Sequence, residues 1–131
     1  MMIEFRLDPR TGVAPYLQIA QQVKNALRLD FLQVGDQLPT VKEVVGSIAI
    51  NPNTVLKAYR ELEREGLVQG RPGIGTFIVK GIAGPPPNAH LALRRSLMRW
   101  LKSANDAGHD AEGVAALFES AMRDSIEEET A

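Results

Sequence analysis

Apolar residues recur at helical spacing near the start of this chain, and they predict two helices there. The first begins near Pro15, a residue favoured in a first helical turn, and its apolar stripe is Tyr16, Ile19, Ala20, Val23 and Leu27. Before it, the strict alternation of residues 3–7 predicts a short strand. The second helix is short and follows Thr40, which forms with Glu43 the T-x-x-E pattern of a capping box.

A third helix is predicted between Asn51, a favoured N-cap residue followed by proline, and Gly66, a favoured terminator. Its apolar stripe has i, i+3, i+4 and i+7 spacing and consists of Val55, Ala58, Tyr59 and Leu62. This stripe places Asn53, Thr54 and Lys57 on the outward face of the helix, near its start.

The rest of the chain predicts a hairpin, a linker and two more helices. Residues 67–70 and 76–79 resemble two strands joined by a glycine-rich loop. At residues 81–87, three consecutive prolines exclude a helix or a paired strand. The predicted organisation is therefore a domain over residues 1–80, a Gly/Pro linker over 81–87 and a two-helix segment over 88–131. The predicted class is mainly α with a small β-hairpin.

Composition and charge narrow this picture. The chain has 131 residues, 44% of them apolar and 24% charged, as in an ordinary globular protein. It has no cysteine, which excludes disulfides, thiol nucleophiles and cysteine-ligated metal sites. The net charge of −1 is not typical of a nucleic-acid-binding protein. That charge is uneven, however, because residues 1–80 hold ten Lys/Arg and eight Asp/Glu whereas residues 81–131 hold five and eight.

The order of the elements indicates a DNA-binding function. A short capped helix, a turn and a helix with an exposed polar start are typical of a helix-turn-helix, whose second helix enters the major groove. Small polar side chains at that start reach base edges and phosphates. The hairpin, with Arg71 at its first turn, has the features of a wing. Farther along the third helix, Arg60 and Arg64 lie among glutamates, which predicts surface ion pairs.

Four motifs in this order resemble the winged helix-turn-helix of the GntR family of bacterial transcription regulators. They are residues 38–43 (LPTVKE), 51–59 (NPNTV-x-KAY), 62–67 (LE-x-EGL) and 73–77 (G-x-GTF). The Asn-Pro-Asn-Thr-Val form, together with a C-terminal part of only two helices, resembles the YtrA subfamily. The resemblance extends over roughly residues 13–80.

The resemblance implies a homodimer that binds a pseudo-palindromic operator. It implies DNA contacts from the start of the second and third helices and from the wing, and the full predicted set is Thr40, Lys42, Asn51, Asn53, Thr54, Lys57, Arg71 and Gly73. It also implies that the C-terminal helices form a dimerisation module. YtrA-like regulators often repress operons for ABC-type transporters, including their own gene, which gives a further expectation for this chain.

Three positions depart from the family pattern. Lys42 stands where an arginine is usual, and it offers a point charge where arginine binds guanine with two hydrogen bonds. Asp30 and Ala49 stand where glycine is common in the family. Aspartate tolerates a left-handed backbone better than most residues, but alanine tolerates it poorly. The turn at Ala49 is therefore expected to be strained or differently shaped.

The two C-terminal helices are too short to enclose their own apolar faces. They need a partner, either the N-terminal domain or a second copy of the chain, and the proline linker favours the second copy. The predicted dimerisation residues are Leu93, Leu97, Trp100, Leu101, Val114, Leu117, Phe118 and Met122. Trp100 and Phe118 also suit a small-molecule pocket, so an effector of unknown identity stays open.

Other classes of function find less support in the sequence. No nucleophile–base set, carboxylate pair or metal cluster is visible, so neither an enzyme, a cofactor nor a metal site is expected. Neither a signal peptide nor an apolar run of 18 residues occurs, which favours a cytoplasmic protein without a membrane span. The alternative from another class is a winged-helix module that binds a partner protein without recognising a specific operator.

Overall fold

The computed structural model describes residues 3–86 and 88–130, and it divides the chain into two compact units. The first is Met1–Asn88 and the second is Ala89–Ala131. The first contains helices α1 (Pro15–Arg28), α2 (Val41–Ser47) and α3 (Pro52–Arg64) and strands β1 (Val68–Arg71) and β2 (Gly75–Ile78). The second contains helices α4 (Leu91–Asp106) and α5 (Ala111–Thr130). This order confirms the predicted mainly α class with a small β-hairpin.

The first unit has a closed core between α1 and α3. The predicted stripe of α3, Val55 to Leu62, is buried, and so is the α1 stripe except for Tyr16, which is partly buried. Leu38, Leu67 and Ile78 complete the core from the turn before α2 and from the hairpin. Ile82, which belongs to the predicted linker, also packs against this core, whereas Pro87 lies outside the described residues.

The predicted strand over residues 3–7 is wrong. Phe5 is buried and Ile3 and Leu7 are partly buried, so the alternation reflects packing, but the segment pairs with no strand among the described residues. Glutamine side chains of α1 bind its backbone instead. Gln22 accepts from Arg6 N at 3.0 Å and donates to Arg6 O at 2.6 Å. Gln18 does the same for Asp8 at 2.8 and 2.9 Å.

The connection from α2 to α3 has an extended shape. Ile48, at the end of α2, has φ −133° and ψ 145°. Within residues 3–86 and 88–130, the non-glycine residues with positive φ are Asp30 (φ 61°) and Asn88 (φ 67°). Asp30 is thus left-handed, as its tolerance predicted, whereas Ala49 is not. The turn at Ala49 therefore does not use the left-handed backbone that alanine tolerates poorly.

The hairpin is antiparallel, and its strands lie close to the predicted positions. Val68 pairs with Ile78 and Arg71 with Gly75, so Arg71 ends β1 instead of lying in the loop. The other edge of β2 binds the turn before α2, where Leu38 N donates to Thr76 O at 2.8 Å. These bonds fix the hairpin beside the start of α2.

The second unit consists of two helices joined at Gly108 (φ 96°). α4 begins at Leu91, three residues later than predicted, because the left-handed Asn88 precedes a turn. In the described part of this unit, Ala104 is the one buried apolar residue. Large apolar side chains on both helices stay exposed, among them Leu93, Leu97, Leu117, Phe118 and Met122.

Candidate nucleic-acid interface

The N-terminal end of α3 is fixed by its capping residue. The side chain of Asn51 accepts a hydrogen bond from Asn53 N at 2.8 Å, and Asn51 O accepts from Thr54 N at 2.9 Å. Pro52 occupies the first helical position, as predicted. The side chain of Asn53 is exposed and that of Thr54 is partly buried. The side-chain nitrogen (Nδ2) of Asn51 and the side chains of Asn53 and Thr54 can therefore still form hydrogen bonds with a ligand at this tip.

α2 begins at a complete capping box. The Thr40 hydroxyl accepts from Glu43 N at 3.1 Å and donates to Glu43 Oε1 at 3.0 Å, while Thr40 N donates to the same carboxylate at 3.2 Å. The hydroxyl of Thr40 is thus occupied within the protein. Lys42, one residue into the helix, is exposed and carries the free charge at this end of α2.

Two predicted cations are held over aromatic rings. Lys57 Nζ lies 4.1 Å from the centre of the Tyr16 ring, and Arg71 Cζ lies 4.6 Å from the centre of the Phe77 ring. The face of an aromatic ring attracts a cation, and the side of the cation that points away from the ring stays open to solvent. The contacts restrict both side chains, and both residues remain exposed. One cation is thereby set on α3 and the other on the hairpin.

The hairpin turn requires two glycines. Gly73, at the tip, has φ 76° and Gly75 has φ 148°, both in the region that side-chain-bearing residues rarely adopt. A Cβ atom at Gly75 would also overlap the amide of Gln37. That amide donates to Ile74 O at 3.3 Å and ties the loop to the turn before α2. The tip is therefore narrow, and its backbone is free of side-chain bulk at Gly73.

A groove of about 330 Å³ lies between α3 and the hairpin. Its wall is formed from α3 by Leu56, Arg60 and Glu63, and from the hairpin by Gly70, Gly75 and Thr76. Glu63 Oε1 accepts a hydrogen bond from Gly70 N at 3.2 Å and so joins the helix to β1. Thr40 lies at the edge of the groove. The groove thus connects the α2 start, the outer face of α3 and the hairpin.

Of the two arginines of α3 predicted to form surface ion pairs, Arg64 does so and, among the described residues, Arg60 does not. Arg64 pairs with Glu61, with Nε to Oε2 at 3.1 Å, and these two charges shift each other's pKa, lowering that of Glu61 and raising that of Arg64. Arg60 has no carboxylate within ion-pair distance in the described part of the chain. The expectation for Arg60 was therefore wrong, and Glu63, three residues farther along the helix, instead accepts a hydrogen bond from the hairpin amide of Gly70.

Tyr59 contributes to the core and not to the exposed face. Its hydroxyl donates to Pro39 O at 2.6 Å, and burial raises the pKa of its phenol. This bond fixes the turn before α2 against α3.

The sequence interpretation did not include Arg60 among the candidate interface residues, although it lines the groove between α3 and the hairpin. Its spacing of three from Lys57 and seven from Asn53 was the available signal, since those three residues share one helix face.

A separate groove of about 490 Å³ lies within the C-terminal unit. Five of the eight predicted dimerisation residues line it, namely Leu97, Trp100, Leu101, Val114 and Phe118. Leu93, Leu117 and Met122 lie outside the groove and are exposed on the same two helices. Asn105 and His109 supply polar groups at the groove. Five residues of the predicted set therefore share one apolar groove with a few polar groups, and the other three are exposed elsewhere on the same helices.

No helix in residues 3–86 or 88–130 is long and apolar enough to cross a membrane. The same residues bring together no group of three His, Cys, Asp or Glu side chains with the spacing of a metal site.

Comparison with known proteins agrees with this geometry. Residues 15–78 match the family model described as bacterial regulatory proteins, gntR family. Over 73 residues the chain is 47% identical to the HTH-type transcriptional repressor YtrA of Bacillus subtilis (strain 168), an alignment that covers 56% of each protein. Because the alignment spans only about half of each protein, this sequence identity does not by itself assign the complete activity of that relative to the present chain.

Two solved structures share the fold. The YtrA protein of Sulfolobus acidocaldarius, described as a GntR-family transcription factor, is 25% identical with a TM-score of 0.55, covering 76% of this chain and 99% of that one. A protein of Listeria monocytogenes EGD-e, described as a transcriptional antiterminator, is 29% identical with a TM-score of 0.59, covering 95% and 93%. Both support a winged helix-turn-helix in the first unit.

Proposed function

The chain belongs, through residues 15–78, to the GntR family of DNA-binding transcription regulators, and we propose that it acts as a homodimeric repressor of its own operon. Its partner is a double-stranded, pseudo-palindromic operator, reached in the cytoplasm where bacterial DNA lies. The finer expectation, an operon for an ABC-type transporter, follows from the likeness to the YtrA subfamily. The observation that carries the proposal is the cationic, exposed face of α3 beside the hairpin.

The positions of three basic side chains support the proposal that α2, α3 and the hairpin face the DNA. Lys42, Lys57 and Arg71 have no carboxylate partner among the described residues, and they lie on α2, α3 and the hairpin. Free cations on adjacent elements suit the phosphates that position a protein on DNA. Asn53 and Thr54 lie at the helix tip, where short polar side chains reach base edges. The proposed DNA-contacting set includes these five residues together with Thr40, Asn51 and Gly73.

The apolar surface of the C-terminal unit supports the homodimer. Leu93 is 72% exposed and Phe118 is 46% exposed, although both are large apolar side chains. An exposed apolar surface of this kind is typical of an interaction site. We propose a second copy of the chain as its occupant, because two-fold pairing presents two copies of α3 to two half-sites. A small-molecule effector in the Trp100 groove is the other occupant to test.

A gel-shift titration tests the operator claim. The full chain is titrated onto a duplex from the region upstream of its own gene and onto a random duplex of equal length. We expect much tighter binding to the upstream duplex, since specific affinity commonly exceeds nonspecific affinity by about 10³-fold or more. Asn53→Ala and Thr54→Ala should each weaken it, whereas Asn25→Ala, at an exposed asparagine of α1, should not.

Each outcome separates the proposal from its alternative. Equal affinity for both duplexes would remove the specific operator and favour a protein-interaction module, which the near-neutral net charge permits. Tight upstream binding that survives both tip variants would show that another face reads the DNA. Sedimentation of the same variants should give an unchanged oligomeric state, because neither side chain lies in the C-terminal unit.

A further inference from the structure

We infer that Arg60 binds the phosphate backbone of the DNA strand that lies between α3 and the hairpin. The inference rests on the DNA-binding function proposed above and adds a contact that the sequence interpretation assigned to a surface ion pair. The observation that carries it is the position of an unpaired guanidinium on the wall of the groove between α3 and the hairpin.

Helix geometry places Arg60 on the exposed face of α3. Residues three and four apart on a helix share a face, so Asn53, Lys57 and Arg60 form one outward row opposite the buried stripe. All three are exposed. Asn53 occupies the tip, and Arg60 lies about two turns farther along, where the groove is also lined by Gly70 and Gly75 of the hairpin. Arg60 therefore faces the space between helix and wing.

The charge of Arg60 is available, unlike that of its neighbour Arg64. The nearest acidic candidate on the groove wall is Glu63, whose Oε1 accepts a hydrogen bond from Gly70 N at 3.2 Å. Glu61 is occupied by Arg64. Arg60 has no ion pair in the described part of the chain. An exposed arginine without an ion pair presents five N–H donors to whatever enters the groove.

The shape of DNA determines what fills this groove. A helix in the major groove lies between two sugar–phosphate backbones. A hairpin beside that helix reaches the duplex only if one backbone passes between the two elements. The groove of about 330 Å³ between α3 and the hairpin is the space for that strand. Arginine suits it because guanidinium binds a phosphate with two parallel hydrogen bonds.

Salt titrations of full-length variants test the contact. Binding to a random duplex of about 30 base pairs, which exceeds two half-sites one turn apart, is measured by fluorescence anisotropy across a range of salt concentrations. For Arg60→Gln we expect about three- to tenfold weaker binding near 0.1 M salt and a log–log salt slope smaller by about 0.9 per bound chain. Arg60→Lys should retain the slope, since it keeps the charge.

Matched variants make each result decisive. Arg64→Gln, four residues farther along the helix, should change the slope less, because Glu61 already neutralises that charge. An unchanged affinity and slope for Arg60→Gln would overturn the inference while leaving operator binding, tested by Asn53→Ala, intact. A loss confined to the upstream duplex, with a normal slope on random DNA, would also overturn it and would show that Arg60 reads a base.

Discussion

The two units of this chain differ in where their apolar side chains lie. In the described residues, every buried apolar side chain except Ala104 belongs to the first unit. There, α1 and α3 face each other and the hairpin closes the remaining side. In the second unit, side chains as large as Leu93 and Phe118 stay exposed. The first unit buries its apolar side chains in its own core, whereas the second leaves most of its large apolar side chains exposed to solvent.

This difference assigns separate tasks to the two units. A closed core of buried residues gives a rigid support for α3, and the DNA contact proposed for that helix requires that it be held in place. The exposed apolar side chains of the second unit are unfavourable in water unless they are covered. We therefore expect the stability of the first unit to be independent of protein concentration and that of the second to depend on it.

The largest expected effect comes from Leu62, which is 0% exposed at the centre of the closed core. Leu62→Ala should lower the free energy of unfolding by about 2–5 kcal/mol, because it removes buried methyl groups and leaves a cavity. Leu56→Ala is the matched control, since Leu56 is on the same helix but 36% exposed. Its cost should stay below about 1 kcal/mol. Urea unfolding monitored by hydrogen exchange of α3 amides measures both.

Equal costs for the two leucines would contradict a closed core around α3. If Leu62→Ala fails to fold, Val55→Ala, at another fully buried position of the same helix, gives the comparison with a smaller deletion. For both variants the unfolding free energy measured at α3 should be the same at low and high protein concentration.

The second prediction addresses the open unit. Phe118→Asp should weaken the proposed dimer by about 2–3 kcal/mol, or roughly 30- to 150-fold in Kd, since a charge would replace an aromatic anchor. Ser120→Asp introduces the same charge two residues away, on the other side of α5, and should leave the dimer unchanged. Sedimentation equilibrium across a range of concentrations measures both. A wild-type chain that is monomeric throughout would refute the homodimer.

Several features of the first unit were predictable because they depend on neighbours within one element. The stripe of α3, its start at Asn51 and Pro52 and the capping box at Thr40 all follow from spacings of a few residues. Local spacing determines which residues share a helix face, and burial then follows from their apolar character. The exposed tip of α3 was predictable for the same reason.

Features that depend on distant partners were not predictable in this way. Residues 3–7 alternate like a strand, yet Gln18 and Gln22 of α1 take the backbone bonds that a neighbouring strand would supply. Arg60 and Arg64 both stand among glutamates, but of the two only Arg64 forms an ion pair among the described residues, and Glu63 binds the distant amide of Gly70. In each case a bonding partner lies outside the local pattern.

The third prediction concerns the capping box of the closed unit. Thr40→Ala should lower the free energy of unfolding by about 0.5–2 kcal/mol, because it leaves the Glu43 amide without its capping oxygen. Thr40→Ser keeps that oxygen and should retain most of the stability. Thermal unfolding of both variants measures the difference. An equal loss for alanine and serine would mean that packing of the Thr40 methyl group matters more than its hydroxyl.

The smallest expected effects come from two loop positions where the family usually has glycine. Asp30 has a left-handed backbone, and among the described residues its carboxylate makes only an exposed contact of 3.4 Å with Gln33 Nε2. Asp30→Gly should therefore stabilise the unit by about 0.5 kcal/mol, since glycine adopts this conformation without steric cost. Ala49 has an ordinary backbone, so Ala49→Gly should destabilise it by about 0.5–1 kcal/mol through added freedom of the unfolded chain.

The opposite signs make this pair a sensitive test of the local backbone. Urea midpoints measured side by side should shift in opposite directions, with unchanged slopes. Because both loops belong to the unit that closes its own core, neither shift should depend on protein concentration, in contrast to Phe118→Asp. Shifts in the same direction would mean that Ala49 is also left-handed, and the chain would then carry strain between α2 and α3, beside the helix proposed to contact DNA.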